Sequence, residues 1–122
     1  MIGYVTLGTN NVEKAAVFYD ELLGLIGAKR FMESEKFIAW TVSPTTPGLC
    51  ITKPFDGNEA TVGNGVMVAL VMDSTDKVDA LYAKAMELGA DDEGPAGPRG
   101  DNFYAAYFRD LDGNKLNAFC MT

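Results

Sequence analysis

Apolar and polar positions roughly alternate in GYVTLG, residues 3–8, as in a strand with one covered face. The spacing then changes. In TNNVEKAAVFYDELLGLIGA, residues 9–28, Val12, Ala15, Ala16, Tyr19, Leu22, Leu23 and Ile26 recur at steps of three and four, with Glu13, Lys14, Asp20 and Glu21 on the other side. That period predicts an amphipathic helix packed on the strand. Asn10 followed by Glu13 resembles a capping arrangement, and Gly24 and Gly27 are stop signals. Three extended segments follow: AKRFMES, KFIAWTVS and, after a turn at residues 44–48, GLCITK.

The same order of patterns recurs 63 residues later. Tyr4-Val5-Thr6-Leu7 lies over Met67-Val68-Ala69-Leu70, and Asn10, Glu13, Lys14 and Tyr19 lie over Asp73, Asp76, Lys77 and Tyr82. GNGVMVALVM, residues 63–72, reads as a buried strand, and TDKVDALYAKAMELG, residues 75–89, as the second helix. At a shift of 67, AWT of the third strand meets AYF at 106–108, and CIT at 50–52 meets NAF at 117–119. The chain is therefore an expected α+β protein, two tandem βαβββ modules in a single domain. Module one spans 1–53, a connection rich in Gly and Asn spans 54–64, and module two spans 65–122. DDEGPAGPRGD, residues 91–101, interrupts the second module and predicts a second strand that is short or absent.

Strand side chains alternate between faces, so Val5 and Leu7 suit the helix while Tyr4 and Thr6 point away from it. Carried through both shifts, Met67 and Ala69 pair with Tyr4 and Thr6, Cys50 with Asn117, and Trp40 with Tyr107. If each mixed sheet curls and the two enclose a cleft, its lining is Tyr4, Thr6, Trp40, Cys50, Thr52, Met67, Ala69, Tyr107 and Asn117. An aromatic and apolar lining with a few polar groups is what small-molecule pockets have, and it is also what a filled core has.

Composition narrows the chemistry. The 122 residues carry 10 Lys and Arg against 17 Asp and Glu, a net charge of −7 that disfavours phosphate backbones and anionic lipid and attracts cations. No nucleic-acid or membrane partner is expected, and no apolar run nears the ~20 residues of a membrane span. MIGYVTLGTN lacks the basic start and apolar centre of a secretion signal, so a cytoplasmic location is expected. Cys50 and Cys120 are too few for a disulfide framework. Histidine is absent, which removes Ser-His-Asp and Cys-His nucleophiles and every histidine metal site.

The duplicated module, GNG before a strand, and the ending NFYAAYFRDLDGNKLNAF together resemble the vicinal oxygen chelate superfamily, the glyoxalase, bleomycin-resistance and extradiol-dioxygenase group. In that ending RDLDGN reads as a tight hairpin turn; DLDGN also resembles the start of a calcium loop, without its downstream ligands. The resemblance spans essentially the whole chain and implies two βαβββ sheets around a cleft, commonly in a homodimer. It also implies a divalent metal held by His, Gln or Glu at one position on the first and last strand of each module. Here those positions are Tyr4, Cys50, Met67 and Asn117. A thioether and a neutral amide suit hard or borderline divalent ions poorly. No metal or other cofactor is therefore expected, unless displaced ligands hold one.

Three functions follow as expectations. The first is a metal-free small-molecule binder in the manner of the bleomycin-resistance branch, with Trp40, Tyr104 and Tyr107 stacking a cationic or aromatic ligand. The second is a glyoxalase-like lyase or isomerase, or a dioxygenase-related enzyme, with an atypical metal site; its catalytic residues are unknown, with Glu33, Glu35, Glu59 and Asp101 as carboxylates to consider. The third is a non-catalytic dimerising domain with a vestigial pocket.

Overall fold

Helical and extended periods become ten elements in the computed structural model, which describes residues 1–122. They run β1 (Tyr4–Gly8), α1 (Val12–Gly24), β2 (Lys29–Glu33), β3 (Phe37–Thr41), β4 (Gly48–Thr52), β5 (Val68–Val71), α2 (Thr75–Glu87), β6 (Asp91–Pro98), β7 (Phe103–Arg109) and β8 (Lys115–Met121). The chain divides into two compact units, Met1–Val62 and Gly63–Thr122. Each is a βαβββ module with one four-stranded mixed sheet, ordered β1-β4-β3-β2 in the first and β5-β8-β7-β6 in the second. The only parallel pairs are β1 with β4 and β5 with β8. A parallel neighbour needs a crossover, and in each module the helix begins that crossover.

In the first unit α1 covers one sheet face. Phe18, Tyr19, Leu22 and Leu23 pack with Ile38, Trp40 and Ile51, all at most 5% exposed. The helix starts one residue later than the sequence pattern suggests. Asn11 is the N-cap, accepting from the Lys14 amide at 3.0 Å. Asn10 instead accepts from the Ala60 amide at 2.7 Å and donates to its carbonyl at 3.2 Å, fastening the connection to the head of α1.

The second unit repeats this with a thinner core: α2 buries only Val78, Leu81 and Ala85, against Ala106, Phe108, Leu116 and Ala118. Its strand at 91–98 is neither short nor absent. β6 runs eight residues with register breaks around Gly94. It tolerates Pro95 and Pro98 because it is an edge strand, whose outer side needs no ladder donors, and because the bulges absorb the extra residues.

Candidate functional site

Register decides which side chains share a face, because residues directly opposite one another in a ladder point the same way. In the first sheet Tyr4 lies beside Gly48, Thr6 beside Cys50 and Gly8 beside Thr52, while Ala39 lies opposite Cys50 and Phe37 opposite Thr52. These residues occupy the face away from α1. In the second sheet Ala69 and Tyr107 flank Asn117, and Val71 and Ala105 flank Phe119, on the face away from α2. Met67, just before β5, continues that alternation. Tyr4, Thr6, Cys50 and Thr52 thus share one uncovered face; Met67, Ala69, Tyr107 and Asn117 share the other.

Trp40 and Tyr104 do not lie on these faces. Trp40 is 1% exposed, donates its indole N–H to Asp20 of α1 at 2.8 Å, and packs 5.6 Å from the Tyr19 ring. Tyr104 donates to Asp79 of α2 at 2.6 Å. Trp40 stands opposite Leu49 and Tyr107 opposite Asn117, so the strand match that aligned Trp40 with Tyr107 slips by one residue. Ala39 is the true counterpart of Tyr107, and Trp40 that of Phe108. A slip of one inverts every side chain, which is why a residue expected in a ligand cleft is a core residue under a helix.

The uncovered faces are open along their β1 and β5 edges and buried at their centres. Tyr4 is 65%, Val71 71% and Met67 42% exposed, whereas Ala39, Cys50, Ala105 and Asn117 are at most 1% exposed, so GNGVMVALVM is a half-buried strand rather than a buried one. A depression of about 760 Å³ in the first unit is lined by Tyr4, Arg30, Phe31, Thr41, Val42 and Gly48, among others; of the residues expected from sequence only Tyr4 borders it. Phe31 reaches it through a β-bulge between Arg30 and Met32, and its ring covers Gly48, where an added Cβ would lie 3.1 Å from Phe31 Cε1. Alternation in KRFME carries no sign of a bulge, so no sequence signal marked Phe31.

The donor set at the positions that the resemblance implies for a metal is poor. Cys50 is buried and burial pushes its thiol up in pKa, with the Thr6 hydroxyl partly opposing the rise. Such a thiol stays protonated and is a weak ligand. Met67 offers a thioether. Asn117 is 1% exposed, and its Oδ1 is a buried acceptor with no donor. No three His, Cys, Asp or Glu side chains converge anywhere in the chain. These residues do not fit a hard or borderline divalent ion. Among the carboxylates considered, Glu33 is paired with Arg30 at 2.9 Å, and Glu35, Glu59 and Asp101 are solvent-exposed.

The Asp110–Asn114 turn is structural. Asp110, 3% exposed, accepts through Oδ1 from the amides of Asp112 and Asn114, both at 2.9 Å, and through Oδ2 from the Asn114 side chain at 3.0 Å. Its oxygens tie the β7–β8 hairpin rather than a cation. No helix is long and apolar enough to cross a membrane.

Two mixed βαβββ sheets, each with one helix-covered and one uncovered face, define the fold class of the vicinal oxygen chelate proteins. Residues 1–118 match the family model of the Glyoxalase/Bleomycin resistance protein/Dioxygenase superfamily, and the chain belongs to that superfamily. It is similar to a glyoxalase/bleomycin resistance protein from Albidiferax ferrireducens T118, with 35% identity over 98% of both chains and a TM-score of 0.90. The fold is shared with the lactoylglutathione lyase of Agrobacterium tumefaciens (17% identity, 98% of this chain and 92% of that one, TM-score 0.73). It is shared too with a genomically encoded fosfomycin resistance protein of Listeria monocytogenes (20% identity, 100% and 93%, TM-score 0.73). No curated protein matches the chain.

Proposed function

We propose that this chain is a metal-free small-molecule-binding member of the superfamily, acting as a homodimer, whose uncovered sheet faces hold an organic ligand with an aromatic or apolar body. The observation that carries the reading is the combination of apolar faces open along their β1 and β5 edges, with Tyr4 65% and Met67 42% exposed, and a ligand set at the positions the resemblance implies that is reduced to phenol, protonated thiol, thioether and amide. Apolar side chains left uncovered on a sheet are an energetic liability unless a ligand or a second copy covers them. A net charge of −7 draws cationic ligands from solution, while the field on each face is set by the few charges that border it.

One specific observation favours the alternative, a glyoxalase-like lyase or isomerase. Asn117 Oδ1 is an oxygen donor at a family ligand position with nothing bonded to it. Metal retention separates the readings: untagged protein is loaded anaerobically with Ni, Zn, Mn and Fe, desalted and measured by mass spectrometry. Negligible retention, together with a dimer by sedimentation, is the expected result. Near-stoichiometric retention of one metal would overturn the metal-free reading and put the enzyme first.

A further inference from the structure

The uncovered face of the second sheet carries a built cationic cluster in an otherwise acidic protein. Arg99 follows β6 and turns back over it. Its Nη1 donates to the Gly97 carbonyl at 3.0 Å and its Nη2 to the Pro95 carbonyl at 2.6 Å. The guanidinium comes close to the strand because two side chains are missing beneath it. A Cβ at Gly94 would stand 3.3 Å from Nη2 and 3.3 Å from Tyr107 Cδ2, and one at Gly97 would stand 3.3 Å from Nη1. The glycines that break β6 are therefore also the floor of an arginine cradle. Arg99 Cζ sits 5.6 Å from the Tyr107 ring centroid, and Lys115 Nζ lies 5.6 Å from the same ring.

The charges around the ring do not cancel. Glu93 pairs with Arg109 and, at 3.8 Å, with Lys115, and Asp91 lies opposite Arg109 in the ladder. Arg99 has no carboxylate partner. A guanidinium has five N–H donors, and its bonds to backbone carbonyls leave some of them unused. A fixed cation and a shared ammonium thus flank one aromatic ring.

We infer that Arg99 and Lys115 form an oxyanion subsite beside Tyr107 that takes the acid group of a small carboxylate, phosphate or phosphonate. The inference rests on the reading that the uncovered faces hold a small ligand, and it names the acidic end of that ligand.

The test is amide and side-chain NMR of the full chain at constant ionic strength, titrated with glycolate, acetate and inorganic phosphate, with sodium chloride as the ionic control and a neutral aromatic alcohol as a separate probe. Saturable shifts of the Arg99 Nε–H and the Gly94 and Gly97 amides are expected with both glycolate and acetate. Arg99→Lys keeps the charge but loses the planar fork, and should weaken glycolate about ten-fold or more. Phosphate binding more tightly than glycolate would assign the acid group to a phosphonate or phosphate, and the reverse order to a carboxylate; both support the subsite. Shifts no larger than those with chloride, or affinity indifferent to Arg99→Lys, would overturn it. If only the aromatic alcohol bound, the subsite would fall while the binding function stood.

Discussion

Asp20 is the residue whose removal discriminates best between ways of accounting for the first module's stability. Its Oδ1 accepts from Arg30 Nε at 2.9 Å and from Trp40 Nε1 at 2.8 Å, and its Oδ2 from Arg30 Nη2 at 2.6 Å. The two partners differ in what they lose. The Arg30 and Asp20 side chains are 35% and 40% exposed, and Arg30 keeps Glu33, so solvent screening leaves that pair about 0–1 kcal/mol. Trp40 is 1% exposed, and an indole N–H left unpaired there costs about 1–3 kcal/mol. Asp20→Ala should therefore destabilise by about 2–3 kcal/mol, most of it from Trp40. Asp20→Asn keeps an acceptor for the indole and should cost about 1 kcal/mol or less. Trp40 is the only tryptophan, so urea unfolding followed by its emission reads this core directly. The Arg30 hydrogen bond holds the Asp20 carboxyl below its usual 3.8, with Trp40 assisting and burial opposing. A depressed folded pKa contributes stability above the unfolded value and loses it as pH falls through the folded one. The gap between wild type and Asp20→Asn should therefore be flat near neutrality and close below about pH 4. Equal losses in Asp20→Asn and Asp20→Ala would refute the assignment to the indole; a loss under about 0.5 kcal/mol in Asp20→Ala would mean that water satisfies it.

Two further outcomes follow from buried groups. Cys50 and Cys120 are 1% and 4% exposed, so neither should react with a disulfide reagent near about pH 8 until the chain unfolds, when both should; rapid reaction of one thiol in the native protein would show that its strand opens locally. Asp110→Ala strips the acceptors from two backbone amides and the Asn114 side chain, and should cost about 2–4 kcal/mol by denaturant titration, with Asp110→Asn intermediate; a neutral result would mean that the β7–β8 turn does not depend on this carboxylate.

The duplication was legible because it is written in periods, which survive when identities do not. Val12 to Ile26 and Val78 to Ala85 each mark a helical stripe, and each helix follows a strand whose inward residues suit it. What was not legible is what depends on a single residue of register. AWT and AYF align by their aromatic residues, yet Trp40 is at home under α1 and Tyr107 on the opposite side of its sheet. The bulge at Phe31 likewise leaves no trace in alternation, while the Gly and Pro residues around Gly94 signalled a break but not the strand that survives it; both bulges set which side chains reach the uncovered faces.

A physical criterion would have corrected the slip without coordinates. A buried tryptophan needs an acceptor for its N–H, and Asp20 follows Tyr19 at the edge of the helical stripe, where it can meet a strand beneath. Tyr107 carries the opposite demand: its ring is flanked by Arg99 and Lys115, cations that a helix-covered core would have to desolvate. Charge near an aromatic residue therefore reports its face more reliably than the identity of the aromatic does. The same reasoning separates overall charge from local charge in this protein. A balance of −7 predicts attraction for cations at long range, but the face beside Asn117 is bordered by Arg99, Arg109 and Lys115 with Glu93 set against two of them. At contact distances those few groups, and not the sum over the surface, decide the sign of what binds there.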